Sequence, residues 1–294
     1  MEKRWYKNRP AICVRSGKLT ALFLPEDGGK MASLKDHEQE FLSQAPNEAY
    51  AVLKPDSDYI SPECSGFDDM FPTIDPYTPQ NGAFSGKTYP DHGEVCRYPM
   101  KVSDTDNSVC FHFSSRLFPL EFSKTVSATV EDAILIEYQI ENNGDAPFPY
   151  IWAAHCMLAG DKNGSVITPF SENAPIQMMF GPEGWTSLPR NHLTDFSEAG
   201  ATYKYYYLEK NPVGWCGYRY HDTGKQLMLH YSPSVVPYLC VWLNNGGFKG
   251  MYNVALEPCT APFDRPDSAQ KAKCASIILP HDKVNFFLQF SCIQ

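Results

Sequence analysis

The stretch Asp132–Phe148, "DAILIEYQIENNGDAPF", decides how the rest of the chain is read. Ile134, Ile136, Tyr138 and Ile140 occupy alternate positions, and Glu137, Gln139 and Glu141 fall between them. Period two with one apolar and one polar face specifies an antiparallel strand, buried on one side and wet on the other. Asn142, Asn143, Gly144 and Asp145 then supply turn chemistry, which ends the strand.

Working outward, the same pattern recurs in both directions. Residues 19–24 and 30–34 flank Pro25-Glu26-Asp27-Gly28-Gly29, a hairpin signature. Further strands are expected over 109–113, 124–130, 150–157, 203–208, 214–220, 226–231, 238–243, 252–257, 275–279 and 285–291. Helical periodicity is nearly absent; one helix of two turns is expected over 266–273. Residues 55–90 are rich in Pro, Asp, Ser and Gly and read as a long loop crossing a sheet. No repeat, linker or composition shift divides the 294 residues. With 14% aromatic residues, 24 prolines and 19 glycines, the expectation is a single all-β domain, 1–294, built as a large antiparallel β-sandwich.

The formal net charge of −9 disfavours nucleic acid and anionic membranes as partners and says nothing against a neutral small molecule. The ten cysteines lack the close spacing of a zinc site, and the opening "MEKRWYKNRP" has no apolar core of a signal peptide. Buried, reduced thiols in a cytoplasmic protein are expected. No apolar run approaches the ~20 residues of a membrane span.

Three residues could carry chemistry. His155 sits in "PYIWAAHCMLAGD", on one strand face with Ile151, Ala153 and Met157. A histidine in so apolar a strand needs a hydrogen-bond partner or a reaction to serve. Glu257, in "GMYNVALEPCTAPFDRPD", shares a face with Met251, Asn253 and Ala255, and Pro258 is expected to end its strand. His92 lies in "TYPDHGEVCRYPM", a segment too broken for a helix and too polar for a buried strand. Each has a plain structural alternative: a hydrogen-bonded core histidine, a solvated strand end, a surface loop. Together they suit general acid–base chemistry. A serine nucleophile elbow, a zincin helix and a nucleotide-binding glycine turn are all missing from the sequence.

At these residues the chain resembles the aldose 1-epimerase, or galactose mutarotase-like, family. "DHGEVCRYP" is similar to the family's His-Gly motif, "PFPYIWAAHCMLAGD" to the segment with its second histidine, and "GMYNVALEPCTAP" to the segment with its glutamate. "LFLPEDGGKMASL" resembles the opening hairpin, and the four segments run in the family's order. The resemblance implies a β-supersandwich with a carbohydrate cleft on one sheet, and isomerase activity without a cofactor. Glu257 would take the proton of the anomeric hydroxyl, His155 would protonate the ring oxygen, and His92 would bind near that oxygen. Phe67, Trp152 and Trp242 are candidates for contact with the sugar's C–H surfaces.

The family's Asn-Arg motif, whose arginine helps bind sugar, has no counterpart: the region reads "ECSGFDDMFPTIDPY", with Asp68 and Asp69 in place of an arginine. Arg97 is the candidate replacement. Asp222 reads as a turn residue rather than a cleft aspartate. An acidic loop suits a neutral or amino sugar, whereas Arg97, Arg116, Arg190 and Arg219 converging at the cleft would mark a hexose 6-phosphate. A sugar-binding protein of the same fold without turnover is the remaining alternative.

Overall fold

The computed structural model describes residues 2–37, 39–105, 107–130, 132–160, 163–187 and 199–294. Among these residues the strands form sheets of eleven, eight and two strands. The larger sheet runs, edge to edge, through Glu2–Tyr6, Arg9–Ser16, Leu19–Leu24, Lys30–Asp36, Phe67–Met70, Ala153–Ala159, Tyr252–Cys259, Tyr238–Asn245, Thr202–Tyr207 and Ile176–Phe180, with Gln39–Glu40 beside Lys30–Asp36. The second runs through Ser165–Ile167, Trp215–Arg219, Gln226–Tyr231, Lys283–Ile293, Ala133–Asn142, Leu120–Ala128, Ser108–Ser114 and Lys101–Asp104. All strand pairings within these sheets are antiparallel.

Ala133–Asn142 is central to the second sheet, and its apolar positions face inward as the alternation requires: Ile134, Ile136 and Ile140 are wholly buried, while Glu137 is exposed. Aromatic rings meet between the two sheets. Phe23 packs on Phe111 at 5.7 Å, Phe67 on Phe290 at 5.7 Å, and Trp152 on Phe286 at 4.7 Å. Burial of this apolar area is the dominant favourable contribution to folding.

Two expected strands have different bounds for visible reasons. Residues 150–157 are divided between Phe148–Tyr150, which pairs with Ser276–Ile278 in the two-stranded sheet, and Ala153–Ala159 in the large one. The chain changes sheet at Ile151 and Trp152, whose amides bond Pro72 O and Thr260 Oγ1. Pro258 does not end its strand. It lies inside Tyr252–Cys259 opposite Leu239, where the ladder toward Ala153–Ala159 skips from Ala153↔Cys259 to Cys156↔Leu256, so its missing N–H falls at the interruption of that ladder. The expected helix spans Pro266–Lys271.

The strand Phe67–Met70 was not expected, because two adjacent aspartates obscure its alternation. Phe67 and Asp69 point into the sandwich, and Asp68 and Met70 point away from it. Asp69 bonds Lys124 Nζ of the opposite sheet at 2.7 Å and accepts from Trp152 Nε1 at 3.2 Å, with both charged side chains wholly buried. Phe67, Asp69 and Trp152 are therefore parts of the core, not of a sugar site. The ten cysteines are unpaired, and seven are buried. Among the described residues no helix is long and apolar enough to cross a membrane.

The Asp69–Lys124 pair bridges the sheets in a dry interior, where removing one charge strands the other. Lys124→Met is predicted to destabilise the protein by about 3–5 kcal/mol, and the double substitution with Asp69→Leu to recover much of that loss. Urea unfolding midpoints of the single and double variants measure both.

Candidate active site

The strand register builds the floor of a cavity on the outer face of the eleven-stranded sheet. Asp68 pairs with His155 across the first strand boundary. The antiparallel register Ala153↔Cys259 and Cys156↔Leu256 sets His155 opposite Glu257 across the next. Glu257 then pairs with Cys240, and Cys240 with Tyr206. One cross-strand row thus reads Asp68, His155, Glu257, Cys240, Tyr206. The neighbouring row reads Met157, Ala255, Trp242, Lys204. Directly opposed residues have Cβ atoms roughly 4.5–5.5 Å apart, so His155 and Glu257 are side by side by construction.

The loops on either side of Phe67–Met70 and the turn at His92 cover this floor. Tyr59, Ile60, Cys64, Ile74, His92 and Phe248 complete a cavity of about 140 Å³ with Met70, His155, Met157, Lys204, Trp242 and Glu257. Sequence reasoning placed His92, His155 and Glu257 as the chemical residues, and all three line this one space. The sheet sets His155 and Glu257 next to each other on the floor, with His92 above.

His92 is held in a strained position. Its φ is 56° and that of Gly93 is 78°, in the left-handed region that only glycine enters freely. The His92 amide donates to Ile74 O at 2.6 Å and the Glu94 amide to Phe71 O at 2.7 Å, which docks the turn on the segment after Phe67–Met70. A Cβ on Gly93 would fall 2.1 Å from Phe71 O, so no other residue fits there. The other charged residues of the motif pin the loop. Glu94 accepts from Ser115 Oγ and from the Arg116 amide at 2.8 Å. Arg97 is buried, and its guanidinium donates to the carbonyls of Lys54, Pro55, Ser57, Asp91 and Gly93. It braces the covering loop and does not line the cavity, so it does not replace the missing sugar-binding arginine.

Tyr59 joins the two histidines. Its ring stacks on His92 at 4.0 Å with planes 6° apart and meets His155 edge-on at 5.1 Å. Its hydroxyl donates to Asp68 Oδ2 at 2.6 Å and lies 3.0 Å from His155 Nδ1. Lys30 Nζ contacts the same Asp68 oxygen at 2.5 Å. His92 Nδ1 bonds Asp91 Oδ1 at 2.7 Å, and Asp91 Oδ2 accepts the Tyr59 amide at 2.8 Å. Asp68 is therefore a support behind His155.

On the other side, Lys204 Nζ and Tyr206 Oη both donate to Asp264 Oδ1 at 2.6 Å. Trp242, the one aromatic sugar-contact candidate that reaches the cavity, donates Nε1–H to Asn253 Oδ1 at 3.2 Å. Neither Tyr59, Lys30, Lys204 nor Asp264 was singled out from the sequence. Lys204 left a signal: a lysine alternating with tyrosines in "TYKYYY" must face either a partner or a site. Tyr59 left none, since its loop has no periodicity.

The electrostatics separate the two floor residues. Burial pushes the Glu257 carboxyl up to about 7; Lys204 opposes this and Asp264 adds to it. Among the described residues Glu257 Oε2 has no hydrogen-bond partner. Burial pushes the His155 imidazole well below its ordinary value, and the nearby His92, Lys30 and Lys204 act in the same direction. Among the described residues no cluster of three or more His, Cys, Asp or Glu could hold a metal ion.

A carboxyl raised from 4.5 to about 7 on folding favours the folded state while protonated, and that contribution is lost as pH rises through about 7. Glu257→Gln is predicted to gain stability relative to wild type between pH 5 and pH 8, on the order of 3 kcal/mol. Denaturant midpoints of the two proteins across that range check the sign.

No protein-family model matches the chain, and no curated protein sequence matches it. Solved structures match its fold. A galactose mutarotase-like protein from Lactobacillus casei ATCC 334 has a TM-score of 0.70 at 18% identity, over 96% of this chain and 100% of that one. A galactose mutarotase related enzyme from Lactobacillus acidophilus has a TM-score of 0.68 at 14% identity, over 97% of each chain. A galactose mutarotase-like protein from Clostridium acetobutylicum has a TM-score of 0.67 at 16% identity, over 100% of this chain and 98% of that one. Identities this low speak to architecture, and the architecture is that of the galactose mutarotase-like β-sandwich.

Proposed function

We propose that the protein is an isomerase of the aldose 1-epimerase type, interconverting the α and β anomers of a neutral aldose. The observation that carries this reading is the pairing of His155 and Glu257 on the floor of one buried cavity, with a carboxyl oxygen that nothing among the described residues satisfies. A buried carboxyl oxygen without a hydrogen-bond partner is costly unless it meets a substrate.

Anomer exchange needs two proton transfers and a rotation. One member of the pair takes the proton of the anomeric hydroxyl, and the O1 electron pair becomes the C1=O1 bond. The C1–O5 bond breaks with its pair going to O5, which takes a proton from the other member. Rotation about C1–C2 and the reverse transfers close the ring on the opposite face. Each positioned acid or base contributes roughly 10²- to 10⁴-fold. No cofactor is needed for these steps. His92, stacked on Tyr59 above the pair, binds the sugar at the same end, and Trp242 and Phe248 offer ring surface to its C–H groups.

The charges favour a neutral sugar over a hexose 6-phosphate. Among the described residues, the one lysine or arginine lining the cavity is Lys204, and it is paired with Asp264. Arg97 is spent on carbonyls, Arg116 lies 3.9 Å over the Tyr98 ring, and Arg219 is on a strand of the eight-stranded sheet. Arg190 lies outside the described residues.

Saturation-transfer NMR between anomeric protons, run on free aldoses and their 6-phosphates, tests the reading. Acceleration is predicted for at least one free aldose and not for its 6-phosphate. Glu257→Gln is predicted to lower the rate by about 10²- to 10⁴-fold while sugar binding persists. A wild-type protein that binds a sugar and leaves its anomer exchange unaccelerated is a carbohydrate-binding protein instead.

A further inference from the structure

The hydrogen bonds around Tyr59 fix more than the position of a ring. A phenol has one proton to give. Asp68 Oδ2 stands 2.6 Å from the Tyr59 oxygen and 2.5 Å from Lys30 Nζ. A carboxylate in contact with an ammonium is ionised and can only accept, so Tyr59 donates to Asp68. The remaining contact, at 3.0 Å from His155 Nδ1, must then run the other way, with Nδ1–H donating to the phenol oxygen. The chain of donation is His155 to Tyr59 to Asp68, with Lys30 at its end. Among the described residues the other ring nitrogen, Nε2, makes no hydrogen bond, and His155 lines the cavity.

We propose that Tyr59 is a positioning residue that locks His155 in the tautomer protonated on Nδ1, so that Nε2 is the ring atom presented to the substrate for proton exchange. The inference rests on the acid–base reading above and assigns the nitrogen through which His155 acts.

The groups packed around His155 agree with a neutral ring. His155 faces Lys30 and Asp68 from the strands beside it, Tyr59 and the Asp91–His92 pair from the covering loops, and Glu257 and Lys204 from the floor. Burial and the charges of His92, Lys30 and Lys204 all disfavour an imidazolium there, so the resting ring carries one proton. Rate measurements alone do not place that proton on one nitrogen; a spectroscopic readout does.

The test is long-range ¹H–¹⁵N NMR on protein labelled at histidine, without sugar, near pH 7.5. His155 is assigned by the signal lost in His155→Gln. The expected result is a protonated Nδ1 and a bare Nε2. Tyr59→Phe keeps the stacked ring and removes the hydroxyl. It leaves Nδ1–H without an acceptor, so the tautomer should shift toward Nε2–H and any titration of the ring should move to lower pH. The rate constant kcat should fall by about 10- to 100-fold with little change in KM. Asp68→Asn, a second variant that keeps the phenol, should move the same three readouts in the same direction. A wild-type His155 protonated on Nε2, or a Tyr59→Phe protein with the wild-type tautomer and kcat, overturns the inference even if anomer exchange is catalysed. A wild-type protein with the expected tautomer and no exchange of any aldose overturns the acid–base reading and leaves the tautomer assignment standing.

Discussion

The site depends on the burial of Glu257 without a partner for Oε2 among the described residues. A carboxyl in that setting resists ionisation, and its proton becomes available near neutral pH. The sheet produces this state by register. Glu257 is flanked on its two neighbouring strands by His155 and Cys240, neither of which is a fixed cation. Lys204, in the adjoining row, is bound to Asp264, so its charge reaches the carboxyl only in part. A free lysine at that place would have drawn Glu257 toward an ordinary carboxylate.

The two aspartates at 68 and 69 show how one strand serves two ends. Alternation sends them to opposite faces. Asp69 meets Lys124 inside the sandwich and ties the sheets together; Asp68 meets Lys30 and Tyr59 at the cavity and supports His155. Each aspartate has its own lysine, so neither leaves an uncompensated charge. The acidic pair that replaces the family's arginine motif is therefore built into the fold and into the support of the histidine. It does not form an acidic rim.

Much of the fold was legible because strand alternation is local. Ile134 to Ile140 announce a half-buried strand without knowledge of any partner, and Leu19–Leu24 and Gln226–Tyr231 have the bounds that their patterns suggest. Phe67–Met70 was hidden because its inward residue Asp69 is charged, and only the distant Lys124 makes it a core position. His92, His155 and Glu257 stood out as polar residues in motifs of recognisable spacing. Arg97 misled for the opposite reason: a cation beside a histidine suggests a ligand, but the carbonyls of residues 54–57 that absorb it lie far back in the chain. Tyr59 was invisible, since its importance comes from three tertiary contacts and from nothing in its own segment.

The account stands on where the proton of the floor pair resides, and the Glu257 carboxyl carbon reports it directly. A ¹³C NMR titration of protein labelled at glutamate, with Glu257→Gln for assignment, should show this carboxyl half-protonated near pH 7, well above the ordinary glutamates of the surface. A Glu257 signal that is ionised throughout pH 5 to 8 would contradict it.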